Sequence, residues 1–167
     1  SIKSDYAEAY CHMGVVLNDQ GKLEDAMEAY KNATNYKPTY VEAWTNGAEA
    51  LEKWNKLDDL EDWLNRAYKI FKIVPSDISY LHSKWLWRNK EKKEALSLIL
   101  TIDLEKVSEN RKQGFLNLKA KCFESSRNFT ASYESFLEMN LLAKNSEVYL
   151  NTHSEEFFEN TKNCALQ

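Results

Sequence analysis

Apolar side chains recur at steps of three and four residues along the first forty positions, which is the period of a helix with one buried face. The first such stretch predicts a helix over about 5–19, and the second predicts a helix over about 23–36. Gly21 between them is free to adopt the left-handed conformation that ends a helix, and Pro38 stops the second helix. The pattern therefore predicts a helical hairpin.

Three further copies of this pattern follow. The second begins at Val41, which is 34 residues after Ala7, and its second helix is expected to reach about Val74, longer than in the first copy by about one turn. The third copy has the weakest pattern, and its register stays open. Helical hairpins repeated at this period are typical of a solenoid, in which each unit buries its apolar face against its neighbours. The predicted solenoid covers 1–144, with units at about 7–40, 41–75, 76–110 and 113–144.

The last stretch of the chain, 145–167, departs from the repeat. Thr152 and Glu155 have the spacing of a capping box, which predicts a short helix that carries Phe157 and Phe158. We expect this stretch to be a terminal capping helix or the start of a further domain.

The overall composition favours helices over strands, because four glycines and two prolines in 167 residues are too few for the many turns of a β protein. The net charge of −4 argues against a partner that is bound through its phosphates. No apolar run approaches the ~18 residues of a membrane span, and the first residues lack the apolar core of a signal peptide. We therefore expect neither nucleic acid nor a membrane as a partner, and a cytoplasmic location.

The residues that most often carry chemistry are few and scattered. The odd number of cysteines and the absence of a C-x-x-C pair argue against a disulfide framework and a zinc site. The histidines lie in different units without an acidic or cysteine partner at the spacing of a triad or a metal cage. We expect no enzyme activity, no metal and no cofactor in this chain. The residues in question are Cys11, Cys122, Cys164, His12, His82 and His153.

The first unit resembles the tetratricopeptide repeat (TPR). Eight positions of the repeat's signature are filled, with conservative changes, by Tyr10, Met13, Gly14, Leu17, Ala26, Tyr30, Ala33 and Pro38. The resemblance covers about 7–142 with decreasing fidelity, and it implies an all-α, right-handed TPR-type superhelix of about four hairpins plus a C-terminal helix. The small residues at which two helices would cross closely are Gly14, Ala48, Ser83 and Ala120.

In TPR proteins the first helices of successive units line a concave groove that holds a peptide or another protein. The groove would be acidic in its N-terminal half and basic in its C-terminal half, so that a partner of opposite polarity would bind in one orientation. The alternative is that these side chains only form solvated helix faces. By matching positions, the resemblance implies the partner-binding residues Glu8, Cys11, Val15, Asn18, Glu42, Thr45, Glu49, Glu52, Tyr80, Lys84, Trp87, Arg88, Asn117 and Lys121.

Trp87 and Tyr80 are the strongest binding candidates, since aromatic side chains supply contact area at low entropic cost and Arg88 adds a planar set of donors. Because Trp85 and Leu86 precede Trp87, a one-residue error in register would exchange core and groove residues. The tryptophans expected to pack within the repeats are Trp44, Trp54 and Trp63.

Two narrower functions follow from the resemblance. Some TPR proteins clamp the terminal carboxylate of chaperones; Asn46 matches that clamp, but Cys11, Val15 and Leu81 occupy its other positions, so this function is disfavoured. The end of the fourth unit, 136–144, resembles the repeat region of bacterial proteins that join TPRs to a sulfotransferase domain. In that alternative, the chain is the helical arm of an enzyme whose catalytic domain lies beyond it.

Overall fold

The computed structural model describes residues 2–144, with side chains from Asp5 onward. Within this range the chain forms eight α-helices and one short 3-10 helix, Leu104–Lys106. The C-terminal helix predicted within 145–167 lies outside the described residues. The helices are α1 Ile2–Asp19, α2 Leu23–Tyr36, α3 Val41–Lys53, α4 Leu57–Ile70, α5 Ser76–Arg88, α6 Lys92–Ile99, α7 Glu109–Ser125 and α8 Phe129–Lys144.

Consecutive helices pair as hairpins within two separate units. In the first unit, which ends at Ser108, α1 packs on α2, α3 on α4, and α5 on α6. In addition, α3 packs on α1 and α2, and α5 packs on α3 and α4. In the second unit, which begins at Glu109, α7 packs on α8. The described chain is therefore all-α and built from hairpins, as the sequence predicts, while the domain boundary at 144 stays a prediction.

The turn inside each hairpin has the same geometry. The N–H of Lys22 donates to the carbonyl of Leu17 at 2.9 Å, and the N–H of Glu91 donates to the carbonyl of Leu86 at 2.9 Å. This bond, with a left-handed residue before the donor, closes the C-terminus of a helix. Successive left-handed residues lie 34, 35 and 37 positions apart, which sets the register of all four hairpins. They are Gly21 (φ 79°), Asn55 (58°), Lys90 (68°) and Arg127 (61°).

The register of the third hairpin follows from this turn. Lys90 takes the place of Gly21, so Ser83 aligns with Gly14, as predicted. Trp85 is 6% exposed, whereas Trp87 is only half-buried. The predicted register is therefore the one that the structure has.

Two glycines lie where an aromatic ring of the second helix comes closest. A Cβ on Gly14 would lie 2.6 Å from the ring of Tyr30, and a Cβ on Gly47 would lie 2.7 Å from the ring of Trp63. Real Cβ atoms do not approach other atoms so closely, so both positions need glycine unless the ring moves. The predicted small sites Ala48, Ser83 and Ala120 are buried.

The tryptophans of the second hairpin differ from one another. Trp44 and Trp63 are each 3% exposed, and their ring centroids lie 4.7 Å apart. The indole N–H of Trp63 donates to the carbonyl of Trp44 at 2.8 Å, so its burial leaves no polar atom unpaired. Trp54 was expected to pack in the same way, but it is 40% exposed and donates to the Asn18 side chain at 3.1 Å.

The expected extension of α4 is wrong. The helix ends at Ile70, and Phe71 takes an extended conformation with φ −88° and ψ 120°. Ile73 is 86% exposed, so no buried face continues toward Pro75. The apolar residues Phe71, Ile73 and Val74 continue the helical spacing of this segment, so the spacing alone does not reveal that the helix ends at Ile70.

Candidate functional site

The first helices of the three hairpins in the first unit present the predicted site residues side by side. The Asn46 amide on α3 lies 3.6 Å from Cys11 Sγ on α1, and Trp54 reaches Asn18 at the end of α1. Lys84 on α5 reaches back to α3. We call the exposed and half-buried residues of this surface the A-helix face: Glu8, Val15, Asn18, Glu42, Glu49, Glu52, Lys84, Trp87 and Arg88.

Three predicted binding residues are buried, and the prediction that they line an open groove is corrected. Cys11 is 0% exposed, Thr45 1% and Tyr80 5%. Cys11 lies under Asn46, and the Thr45 hydroxyl donates to a carbonyl of its own helix. Burial, followed by the nearby Glu42 carboxylate, raises the pKa of the Cys11 thiol. These side chains support the surface from below and offer no area to a partner.

A cluster of charges joins α3 to α5. Lys84 Nζ lies 2.5 Å from Glu52 Oε2, and Arg88 Nη1 lies 3.6 Å from Glu52 Oε1. Arg88 also donates to the Glu52 carbonyl at 3.0 Å and to the Asn55 side chain at 2.6 Å. The basic residues predicted for the C-terminal half are therefore compensated by an acidic residue from the preceding hairpin. The simple division into an acidic and a basic half does not hold at this boundary.

The acidic part of the A-helix face lies on α1 and α3. Glu8 and Glu42 are exposed and Glu49 is half-buried. The Tyr40 hydroxyl donates to Glu42 Oε2 at 2.9 Å. Partial burial, this hydrogen bond and the nearby negative groups raise the pKa of Tyr40, so the phenol stays protonated and keeps donating. The Glu42 carboxylate is thereby held at the surface of the α1–α3 pair.

Trp87 is the aromatic residue of this face that remains accessible. Its side chain is half-buried, and Lys92 Nζ lies 5.1 Å from its ring centroid. Tyr80, the other aromatic candidate, lies beneath Lys84, whose Nζ is 5.8 Å from the ring. One of the two predicted aromatic contacts is therefore in a position to meet a partner.

The remaining predicted residues lie in the second unit, on α7. Asn117 is half-buried and Lys121 is exposed. Cys122, the next residue of α7, is fully buried and packs inside the unit, and this burial raises the pKa of its thiol to about 11. The binding role of Asn117 and Lys121 stays a prediction.

The structure also shows features that sequence reasoning missed. Arg66 on α4 lies over two rings, 5.7 Å from the centroid of Trp44 and 5.4 Å from that of Trp63. It lines a cavity of about 440 Å³ between α2 and α4, the second helices of the first two hairpins.

A second feature that the sequence did not predict is a pair of hydrogen bonds at the start of α5. Both carboxylate oxygens of the buried Asp77 accept hydrogen bonds from Ser108. A local sequence pattern does not predict the contacts of Arg66 with Trp44 and of Asp77 with Ser108, because the two residues of each pair are far apart in the sequence.

The described residues contain no cluster of three or more side chains that could hold a metal ion. None of the described helices is both long and apolar enough to cross a bilayer. What the A-helix face offers is charge, hydrogen-bonding groups and one indole ring.

Comparisons with known proteins agree with this architecture. A family model of the TPR repeat matches residues 16–55, from the end of α1 to just past α3. The structure is similar to that of PilF from Pseudomonas aeruginosa, with a TM-score of 0.73 and 14% identity over 87% of this chain. PilF is a TPR protein. This chain has the tetratricopeptide-repeat fold.

A second TPR structure is similar to the chain as well. MamA from Desulfovibrio magneticus RS-1 matches with a TM-score of 0.62 and 12% identity over 84% of this chain. The chain spans 65% of the PilF chain and 77% of the MamA chain. No curated protein sequence matches it. The comparisons give no support to the alternative of an arm of a sulfotransferase.

Proposed function

We propose that this TPR protein is a non-catalytic interaction module of the cytoplasm, whose A-helix face binds a peptide or protein partner. The observation that carries the proposal is the alignment of α1, α3 and α5, which brings charged residues and one tryptophan from three hairpins into one surface. Stacked repeats characteristically use such extended surfaces for recognition. The buried free thiols Cys11 and Cys122 fit a reducing compartment.

The face favours a partner segment with basic residues opposite α1 and α3. Glu8, Glu42 and Glu49 give this part of the face a negative charge, and on α5 the positive charges of Lys84 and Arg88 lie beside Glu52. Rim charges of this kind act mainly on the association rate and on its salt dependence. Trp87 would supply the apolar contact, because partly buried indoles are frequent anchors in interfaces.

The test is to immobilise the 167-residue chain, pass a lysate of the source organism over it, and identify the captured proteins by mass spectrometry. We expect Glu42→Lys and Trp87→Ala each to weaken capture of the same specific protein at least tenfold, without loss of helicity by circular dichroism. Glu61→Lys, which makes the same charge change on the exposed side of α4, is the matched control and should capture as the wild type does. Equal capture by all variants would remove the A-helix face from the interaction.

A further inference from the structure

A cleft runs between α2 and α4, the second helices of the first two hairpins. Both helices pack on α3, and side chains from all three helices line the cavity of about 440 Å³. Leu23, Met27, Leu51 and Trp63 are buried and form its apolar floor. The other lining side chains are charged and exposed. The cavity therefore combines an apolar interior with a polar rim, as ligand sites do, and its size lies in their range.

A second cavity, of about 300 Å³, continues the cleft toward the C-terminal ends of α2 and α4. Arg66 lines both cavities, so the two are neighbours along the same pair of helices. Arg66 and Lys69 are the charged residues of the second cavity, and no carboxylate of the described residues lines it. The carbonyl ends of α2 and α4 nearby each carry roughly half a negative charge, which two full cations outweigh. This end of the cleft is therefore positive.

Arg66 is held in place by two aromatic rings. Its guanidinium lies 5.7 Å from the centroid of Trp44 and 5.4 Å from that of Trp63, and the side chain remains exposed. A guanidinium that lies over aromatic rings can still donate from its N–H edge, and two such donors match the two oxygens of a carboxylate. Asp62, one turn earlier on α4, lines the first cavity but not the second. Among the described residues no ion pair joins it to Arg66.

We propose that this cleft binds a peptide segment of a partner protein in which an apolar side chain lies close to an acidic one. The apolar side chain occupies the larger cavity, and the carboxylate pairs with Arg66 beside Lys69. A peptide fits better than a compact small molecule, because two adjoining cavities that follow the same two helices form an elongated site. The site is separate from the A-helix face, which lies on the first helices and favours a basic partner segment.

The test uses a phage-displayed library of short random peptides, selected on the immobilised 167-residue chain. We expect enriched peptides to share an apolar residue close to an aspartate or glutamate. The dissociation constants of the synthetic peptides are then measured by fluorescence anisotropy. Arg66→Glu should weaken their binding at least about tenfold, because a charge-assisted pair is replaced by two like charges. Lys72→Glu makes the same charge change on an exposed residue that lines neither cavity, and it should bind as the wild type does.

A charge exchange tests whether Arg66 contacts the peptide directly. A peptide with lysine in place of its acidic residue should bind the Arg66→Glu variant better than it binds the wild type. A second variant, Trp87→Ala, separates this site from the A-helix face and should leave the binding unchanged. Enriched peptides that are all insensitive to Arg66→Glu overturn the proposal. Peptides that lose affinity only with Trp87→Ala bind the A-helix face, which supports the function proposed there and contradicts the cleft.

A second measurement uses the wild-type chain and does not depend on any variant folding. The three methionines are labelled with ¹³C in the methyl group and observed by NMR while the selected peptide is added. Met27 lines the larger cavity, whereas Met13 is exposed on α1 and Met139 lies on α8. We expect the peptide to shift the Met27 resonance and to leave the other two in place. A shift at Met13 or Met139 with Met27 unchanged contradicts the proposal.

Discussion

The first two hairpins accommodate an aromatic ring of the second helix at different places. In the first hairpin Tyr30 packs against Gly14, and in the second Trp63 packs against Gly47. In the aligned register Gly47 corresponds to Met13, not to Gly14. The position of the aromatic residue on the second helix therefore decides where the first helix must lack a Cβ. A repeat signature with one fixed small position describes the first hairpin but not the second.

The largest effect should come from removing the ring in the second hairpin. Trp63→Ala deletes a side chain that is 3% exposed and leaves a cavity beside Trp44, so we expect the free energy of unfolding to fall by about 3–5 kcal/mol. Urea unfolding followed by circular dichroism measures this. Trp54→Ala, at a site that is 40% exposed, should cost roughly 1 kcal/mol or less. Equal losses in both variants would refute the distinction between packed and peripheral tryptophans.

Adding a methyl group at Gly14 or Gly47 tests whether each hairpin needs a glycine opposite its aromatic ring. Gly14→Ala and Gly47→Ala should each lower the free energy of unfolding by about 1–3 kcal/mol, because the new Cβ overlaps a ring. In a double-mutant cycle, Gly47→Ala should cost much less when Trp63 is already alanine. An unchanged cost in that background would mean that Trp63 is not the group that Gly47 accommodates.

A smaller effect separates the turns of the first and third hairpins. Lys90 adopts the left-handed conformation with a Cβ, at a cost of about 1 kcal/mol, whereas Gly21 adopts it freely. Lys90→Gly should therefore raise the free energy of unfolding by about 1 kcal/mol, and Gly21→Ala should lower it by about the same amount. Chemical denaturation measures both. Changes of the same sign would contradict the shared turn geometry.

The smallest effect concerns pH at the position that Gly47 and Met13 occupy in the earlier hairpins. Burial against α4 lowers the pKa of His82, and Glu91 opposes this only in part. The native state thus binds the proton less readily than the unfolded state. Stability is complete above the ordinary pKa of about 6.5 and decreases as the pH falls below it. His82→Gln should flatten the dependence of the unfolding free energy on pH between 7 and 5; an unaltered slope would show that another group causes it.

The sequence predicts regular features better than exceptions. The apolar period, with Gly21 before the helix and Pro38 after it, predicts the bounds of α2, and Gly21 also predicts the first turn. Lys90 and Arg127 take the same left-handed conformation without any sequence signal, because the hydrogen bond that closes the helix imposes it. The end of α4 is mispredicted for a different reason, because the apolar residues Phe71, Ile73 and Val74 continue past it.

The candidate site is predicted less completely than the fold. Matching positions places Glu42 and Trp87 on an accessible surface, since that follows from the helical period. Burial of Thr45 and Tyr80, and the pairing of Lys84 with Glu52, depend on how closely the neighbouring helix approaches. The distance between neighbouring helices depends on how several helices pack together, so the apolar pattern of one helix cannot predict it.

The most direct test of the central claim is site-specific photo-crosslinking in a lysate of the source organism. A photoreactive amino acid is placed in turn at Val15, Glu42 and Trp87 on the A-helix face, and at Asn35 and Glu61 on exposed sides of α2 and α4 as controls. The account predicts that the same partner is crosslinked from all three positions of the A-helix face and from neither control. Crosslinks to that partner only from Asn35 or Glu61 would contradict the account and move the interaction to the second helices.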